Sequence, residues 1–151
     1  MKPYDWMRVA IVDASKATRP FGAIIVKDDK LISRGVPDES DPTGHAEMVA
    51  IRSACRVLGT RKLQDCVMYC TCEPCPMCLA AIFQVKLSGL YFAASRKDAE
   101  ALGFKYVTIY DYLKVAPRTK WPIPTNPAWA SWRARNEAIT MMKRWKDGPV
   151  A

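Results

Sequence analysis

Histidine is the scarcest chemistry-bearing residue in this chain: among 151 residues there is one, His45. The opening stretch, "MKPYDWMRVAIVDASK", mixes charges throughout and offers no apolar run followed by a cleavage site, as a secretory signal would. No stretch approaches the roughly 18 apolar residues that a membrane-spanning helix needs. The six cysteines do not have the layout of a secreted disulfide scaffold. A four-cysteine zinc ribbon needs a second, separate C-x-x-C pair, and the thiols remaining beside Cys75 and Cys78, namely Cys55, Cys66, Cys70 and Cys72, do not form one among themselves. Internal repeats and low-complexity segments are also missing. These absences lead us to expect a cytoplasmic chain with reduced thiols and no membrane partner, whose special cysteines are metal ligands or nucleophiles. Acids are outnumbered, 15 against 23 bases, and the net charge of +8 favours acidic partners, nucleic acid and nucleotides among them. Solubility is the plain alternative. The length suits one domain over 1–151, and 50% hydrophobic with 25% charged residues is ordinary globular composition.

Periodicity and breakers then place the elements. A first helix is expected over 5–17. Strands over 22–27 and 31–35 flank Asp28-Asp29 as a hairpin. "PDESDPTG" (37–44) reads as a loop, and a helix follows from His45 to Leu58, ended by Gly59. Its buried stripe is expected to include Ala46, Val49, Ala50, Ser53, Ala54 and Val57. "CVMYCT" (66–71) suits a buried strand, followed by a helix over 76–86, a strand over 89–94 and a short helix over 96–102. This order describes an α/β sandwich with helices on both faces of a mixed sheet. "APRTKWPIPTNP" (116–127) carries four prolines and reads as a linker. The last helix is expected over 127–146, with Ala130, Ala134, Ala138, Met141 and Trp145 on one apolar face, widened by Trp129, Trp132 and Met142. Arg133, Arg135, Lys143, Arg144 and Lys146 leave the rest of its surface basic.

His45 stands in "GHAEM", two residues before Glu47. Alone, such a histidine is more often a hydrogen-bonded structural residue. A lone C-x-x-C is open between half a zinc knuckle, a redox pair and coincidence. Together the pieces are far more specific. H-x-E, about thirty residues with one strand, and then P-C-x-x-C opening a helix is the signature of zinc nucleobase deaminases. His45, Cys75 and Cys78 would give three protein ligands to Zn²⁺ and leave a fourth position open, as catalytic rather than structural sites do. Cys75 fits an N-cap, Pro76 the first helical position, and Cys78 falls one turn on. The free N–H groups and positive end of that helix favour thiolates. A zinc ion there acidifies water to roughly pKa 7, and Glu47 is the candidate proton shuttle. In a regular helix Glu47 points about 200° away from His45, so the site is expected where the first turn is still irregular.

The stretches "PFGAIIVKD", "DPTGHAE", "CEPCPMCLAAI" and "YFAASRKDAEALGF" resemble the cytidine deaminase-like superfamily, most closely its bacterial guanine deaminases, from about Pro20 to Leu113. The resemblance implies a three-layer α/β/α sandwich with a five-stranded mixed sheet, zinc on His45, Cys75 and Cys78, and Glu47 as shuttle. It implies that Phe21 packs on the substrate ring and that the protein is a homodimer, with a C-terminal segment that such proteins often exchange between subunits. Several positions depart from the guanine pattern. The asparagine after the second hairpin strand has no counterpart, Lys105-Tyr106 replaces an acidic pair, and Gln84 replaces an aromatic. The candidate substrate contacts are therefore Phe21, Ala46, Asp38, Gln84 and Tyr106. The expected function is hydrolytic deamination of an amino-substituted nucleobase or a related small heterocycle such as a pterin or triazine. The alternatives are a tRNA adenosine deaminase, using the basic last helix, and a non-catalytic zinc-containing binding protein.

Overall fold

The computed structural model describes residues 1–104, 110, 111, 113, 114, 117, 120–125 and 132–148. Helix α1 (Pro3–Lys16) begins with proline at its first position and buries Trp6, Met7, Ala10, Ile11 and Ala14. Strands β1 (Ala23–Lys27) and β2 (Lys30–Gly35) form the hairpin. Its turn residues Asp28 and Asp29 both have positive φ, 49° and 55°, which is the geometry of a two-residue turn matched to strand twist. Helix α2 (Ala46–Leu58) stops at Gly59, whose φ of 61° closes the helix in the left-handed region. Then come β3 (Val67–Cys72), α3 (Pro76–Gln84), β4 (Gly89–Ala94) and α4 (Arg96–Ala101). The last described helix is α5 (Trp132–Asp147).

The strand order is β2-β1-β3-β4, antiparallel across β2/β1/β3 and parallel between β3 and β4. Alternate residues of each strand feed two cores. Ile25, Met68, Leu90 and Phe92 meet α2 and α3 on one face. Ile24, Tyr69 and Ala93 meet α1 and α5 on the other. This is the expected α/β arrangement, with one correction: among the described residues the sheet has four strands, not five. Beyond the β4 edge they contribute one isolated bridge, Leu90 to Thr125, with the Leu90 N–H donating to the Pro124 carbonyl at 3.1 Å. Pro122 and Pro124 precede the bridging Thr125 and have no N–H to extend a ladder.

Two expected apolar faces are also corrected. Val57 is 63% exposed, while Ile51 is buried. The apolar residues of α2 lie on more than one side, so periodicity alone leaves its rotation open. On α5, Ala134, Ala138, Met141 and Met142 are buried as expected, but Trp132 is 79% and Trp145 43% exposed. Trp129 and Ala130, expected on the same face, lie outside the described residues, as does the start of that helix at 127.

Candidate metal centre and pocket

Two helix N-termini converge beside the carboxyl end of β3. The first is placed by close packing. A Cβ on Gly35, at the end of β2, would stand 2.0 Å from the Ala46 carbonyl oxygen and 2.6 Å from the Ala50 nitrogen. Only glycine lets the strand approach the helix so closely. Ser33 adds a bond from its hydroxyl to the Ala50 carbonyl at 2.8 Å. Between strand and helix, the Asp41 carboxylate accepts from the Thr43 N–H (2.8 Å) and hydroxyl (2.7 Å), and the Gly44 N–H donates to the Asp41 carbonyl. His45 is the N-cap of α2, with an extended backbone (φ −60°, ψ 156°). The irregularity demanded by the H-x-E spacing is this residue: because it is not helical, Glu47 in the first turn can share its side of the chain.

The second N-terminus begins at Cys75, N-cap of α3, with Pro76 at the first helical position and Cys78 one turn on. Three bonds hold the loop leading to it. The Glu73 N–H donates to the Ala94 carbonyl (2.8 Å), the Arg96 N–H donates to the Glu73 carboxylate (3.0 Å), and the Tyr110 hydroxyl donates to the Pro74 carbonyl.

His45 Nδ1 lies 3.5 Å from Cys75 Sγ and 3.6 Å from Cys78 Sγ. One donor atom from each residue lies within 4.8 Å of the others. A tetrahedral zinc with ordinary bond lengths separates a nitrogen from a sulfur by roughly 3.6 Å. One ring nitrogen carries at most one proton and cannot serve two sulfurs equally, whereas one cation serves all three donors. The donor set fits zinc.

The titration of these groups follows from their crowding. A hydrogen bond from the Cys78 thiol holds Cys75 down at about 4, with His45 adding to the effect. Sharing that proton with Cys75 drives Cys78 far up. The Cys75 sulfur raises His45 in turn. Glu47 is pushed up to about 7, first because burial strips its carboxylate of water. Cys70 and Cys72 are raised well above the usual thiol range by burial and are inert beside this trio.

His45 and Cys75 floor a small pocket of about 50 Å³, with Cys78 buried behind them, and its lining also includes Arg19, Phe21, Pro37, Ala46, Cys72 and Glu73, with Glu47. It admits a few waters or the edge of a ring. Of the expected substrate contacts, Phe21 and Ala46 line it. Gln84 does not: it is exposed at the far end of α3, nine residues from Cys75 and thus roughly 13 Å along the helix. Asp38 is exposed in the loop, its carboxylate accepting from the Ser40 N–H and hydroxyl, and is not among the lining residues. Tyr106 lies outside the described residues. Sequence reasoning missed Arg19 and Glu73. Glu73 had a signal, an acid within the otherwise uncharged "YCTCEPCPMC"; Arg19 had none, because its place depends on a loop packing beside α2.

An α/β sandwich with one histidine and two cysteines gathered at paired helix mouths defines a class of metal-site proteins. Residues 2–94 match the cytidine and deoxycytidylate deaminase zinc-binding region, and the chain belongs to this family. The chain is 50% identical over 94 residues to a guanine deaminase of Bacillus subtilis, a match covering 60% of this chain and 60% of that protein's own length. It is 37% identical over 123 residues to a tRNA-specific adenosine deaminase of Aquifex aeolicus, covering 77% and 81%. The X-ray structure of guanine deaminase from Bacillus subtilis superposes with a TM-score of 0.72 at 40% identity, covering 82% of this chain and 83% of that one.

Proposed function

We propose that this protein is a zinc-dependent hydrolytic deaminase that releases ammonia from an amino-substituted nucleobase or a related small heterocycle. The observation carrying this reading is the tetrahedral spacing of His45, Cys75 and Cys78 beside a buried acid, Glu47. Zinc held by these three residues supplies a Lewis acid that makes water ionise near neutral pH. Glu47 moves the protons. Its buried carboxylate accepts one from water, passes it to a ring nitrogen, and later delivers one to the departing amine. Water and the C–NH₂ group thereby become a carbonyl and ammonia. Phe21 stacks on the ring and Ala46 offers backbone at the pocket wall. We keep residues 1–151 as one domain and a homodimer as the expected assembly. Exchange of the C-terminal segment between subunits would carry the α5 contacts with α1 and β4 across to the partner.

An ammonia-release screen over guanine, adenine, cytosine, their nucleosides, and pterin and triazine analogues tests this reading. Glu47→Gln should keep fold and zinc yet lose ammonia release about 10²- to 10⁴-fold. Full activity in that variant would exclude the mechanism, and a zinc-containing wild type that releases no ammonia from any compound would favour the non-catalytic binding protein.

A second reading, deamination of adenosine in tRNA, has its own support. The Aquifex relative matches over more of its length than the guanine deaminase does. A groove of about 750 Å³ between α1 and α5 is lined by Arg8, Arg133, Arg144, Trp132 and Trp145. Guanidinium groups with exposed indoles suit phosphate and unstacked bases.

A further inference from the structure

We propose that Trp145 is a positioning residue for the substrate pocket: from α5 it clamps the loop of residues 17–22 and, through Phe104, braces Phe21 at the pocket wall. A continuous run of aromatic contacts leads from the last helix to the pocket. Phe21 lines the pocket. Its ring meets Phe104 edge-on, with centroids 5.1 Å apart and planes at 77°. Phe104 lies 5.7 Å from Trp145 at 37°. At such separations aromatic pairs attract beyond what their burial gives.

An independent contact fixes the same loop. The Trp145 indole N–H donates to the carbonyl of Thr18, three residues before Phe21. The other flank is tied to the sheet: the Gly22 N–H donates to Thr71 Oγ1 at 3.1 Å, and the Thr71 N–H returns to the Gly22 carbonyl at 2.9 Å. Arg19 and Phe21, both at the pocket wall, hang between these two anchors. The metal donors ride on α2 and α3, whereas α5 packs on α1, β4 and α4. Loss of Trp145 therefore loosens the wall that grips a ring and leaves the chemical centre standing. The effect falls on substrate binding, not on the bond-breaking step.

The kinetic arm rests on the deaminase reading. Using the base turned over fastest in the ammonia screen, Trp145→Ala should raise KM about tenfold, with kcat within about twofold and zinc content unchanged. Phe104→Ala should behave alike, and the double variant should be less than additive, because both act through one wall. Trp145→Phe, which keeps a ring but not the N–H, should recover part of the loss. Asp147→Ala, exposed at the far end of the same helix, should leave KM alone. Hydrogen exchange should quicken over residues 17–22 in Trp145→Ala while β3 keeps its protection. A KM unchanged by Trp145→Ala, or a fall confined to kcat, overturns the proposal. Should the wild type release no ammonia at all, the deaminase reading fails on its own, and unchanged exchange at 17–22 would still overturn the clamp.

Discussion

Glu47 is a carboxyl removed from water, and that burial is the first reason its pKa stands near 7 against an ordinary 4.5. Between those values the folded chain keeps a proton that the unfolded chain has released. Stability is therefore unpenalised below about 4.5 and falls as the pH rises towards 7, by about 3 kcal/mol for this group alone. In chelator-stripped protein, urea midpoints measured at pH 5 and pH 7.5 should drop further for wild type than for Glu47→Gln, which cannot ionise. Parallel slopes would mean that the carboxyl ionises as freely in the folded chain as in the unfolded one. The residue types of the centre were legible in the sequence, since H-x-E and P-C-x-x-C name their own chemistry. The phase problem between His45 and Glu47 was legible as a demand for an irregular first turn, and the structure shows which residue meets it: His45, through its extended N-cap torsions.

Elements were read well where punctuation is strong. Gly59 ends α2, Pro76 opens α3, and the Asp28-Asp29 turn fixes the hairpin, all by local backbone preference. Reading failed where position depends on a neighbour, as in the rotation of α2 and the exposure of Trp132. The close approach of β2 to α2 is the element-scale feature that aims His45. Gly35→Ala would force the strand and helix apart, because its new Cβ would sit 2.0 Å from a backbone oxygen. The expected cost is about 1–3 kcal/mol with a lowered zinc stoichiometry, checked by thermal melting and metal analysis. A variant with wild-type melting and a full zinc complement would show that this contact does not position the site.

At the scale of the whole molecule the net charge of +8 invites a nucleic-acid partner, yet much of the basic surface is already engaged. Arg135 binds Asp98 at 2.9 Å, and Arg133 and Arg8 share Glu137 at 3.4 and 3.7 Å. The single contacts on Glu137 are weak and readily exchanged for phosphate, whereas the two-point Arg135–Asp98 pair, with its acid largely buried, holds more firmly. Activity on a folded tRNA should therefore fall steeply with salt if the groove tracks its backbone, while activity on a free base should be nearly flat. Ammonia release from both substrates between about 50 and 200 mM salt separates the two readings. A salt-insensitive rate on tRNA would rule out the groove as the contact surface.

The sequence by itself determined the candidate metal-site residues, the order of helices and strands and the family, because ligand spacing, capping and hydrophobic period are local properties of a chain. Tertiary structure decided which of those residues share a pocket. Phe21 and Ala46 meet there, Gln84 and Asp38 do not, and Arg19 and Glu73 join them unannounced. It also decided that a tryptophan near the end of the chain stands behind a phenylalanine near its beginning. Contacts between distant segments depend on how helices rotate and how closely strands approach, and neither is encoded at any one stretch of sequence.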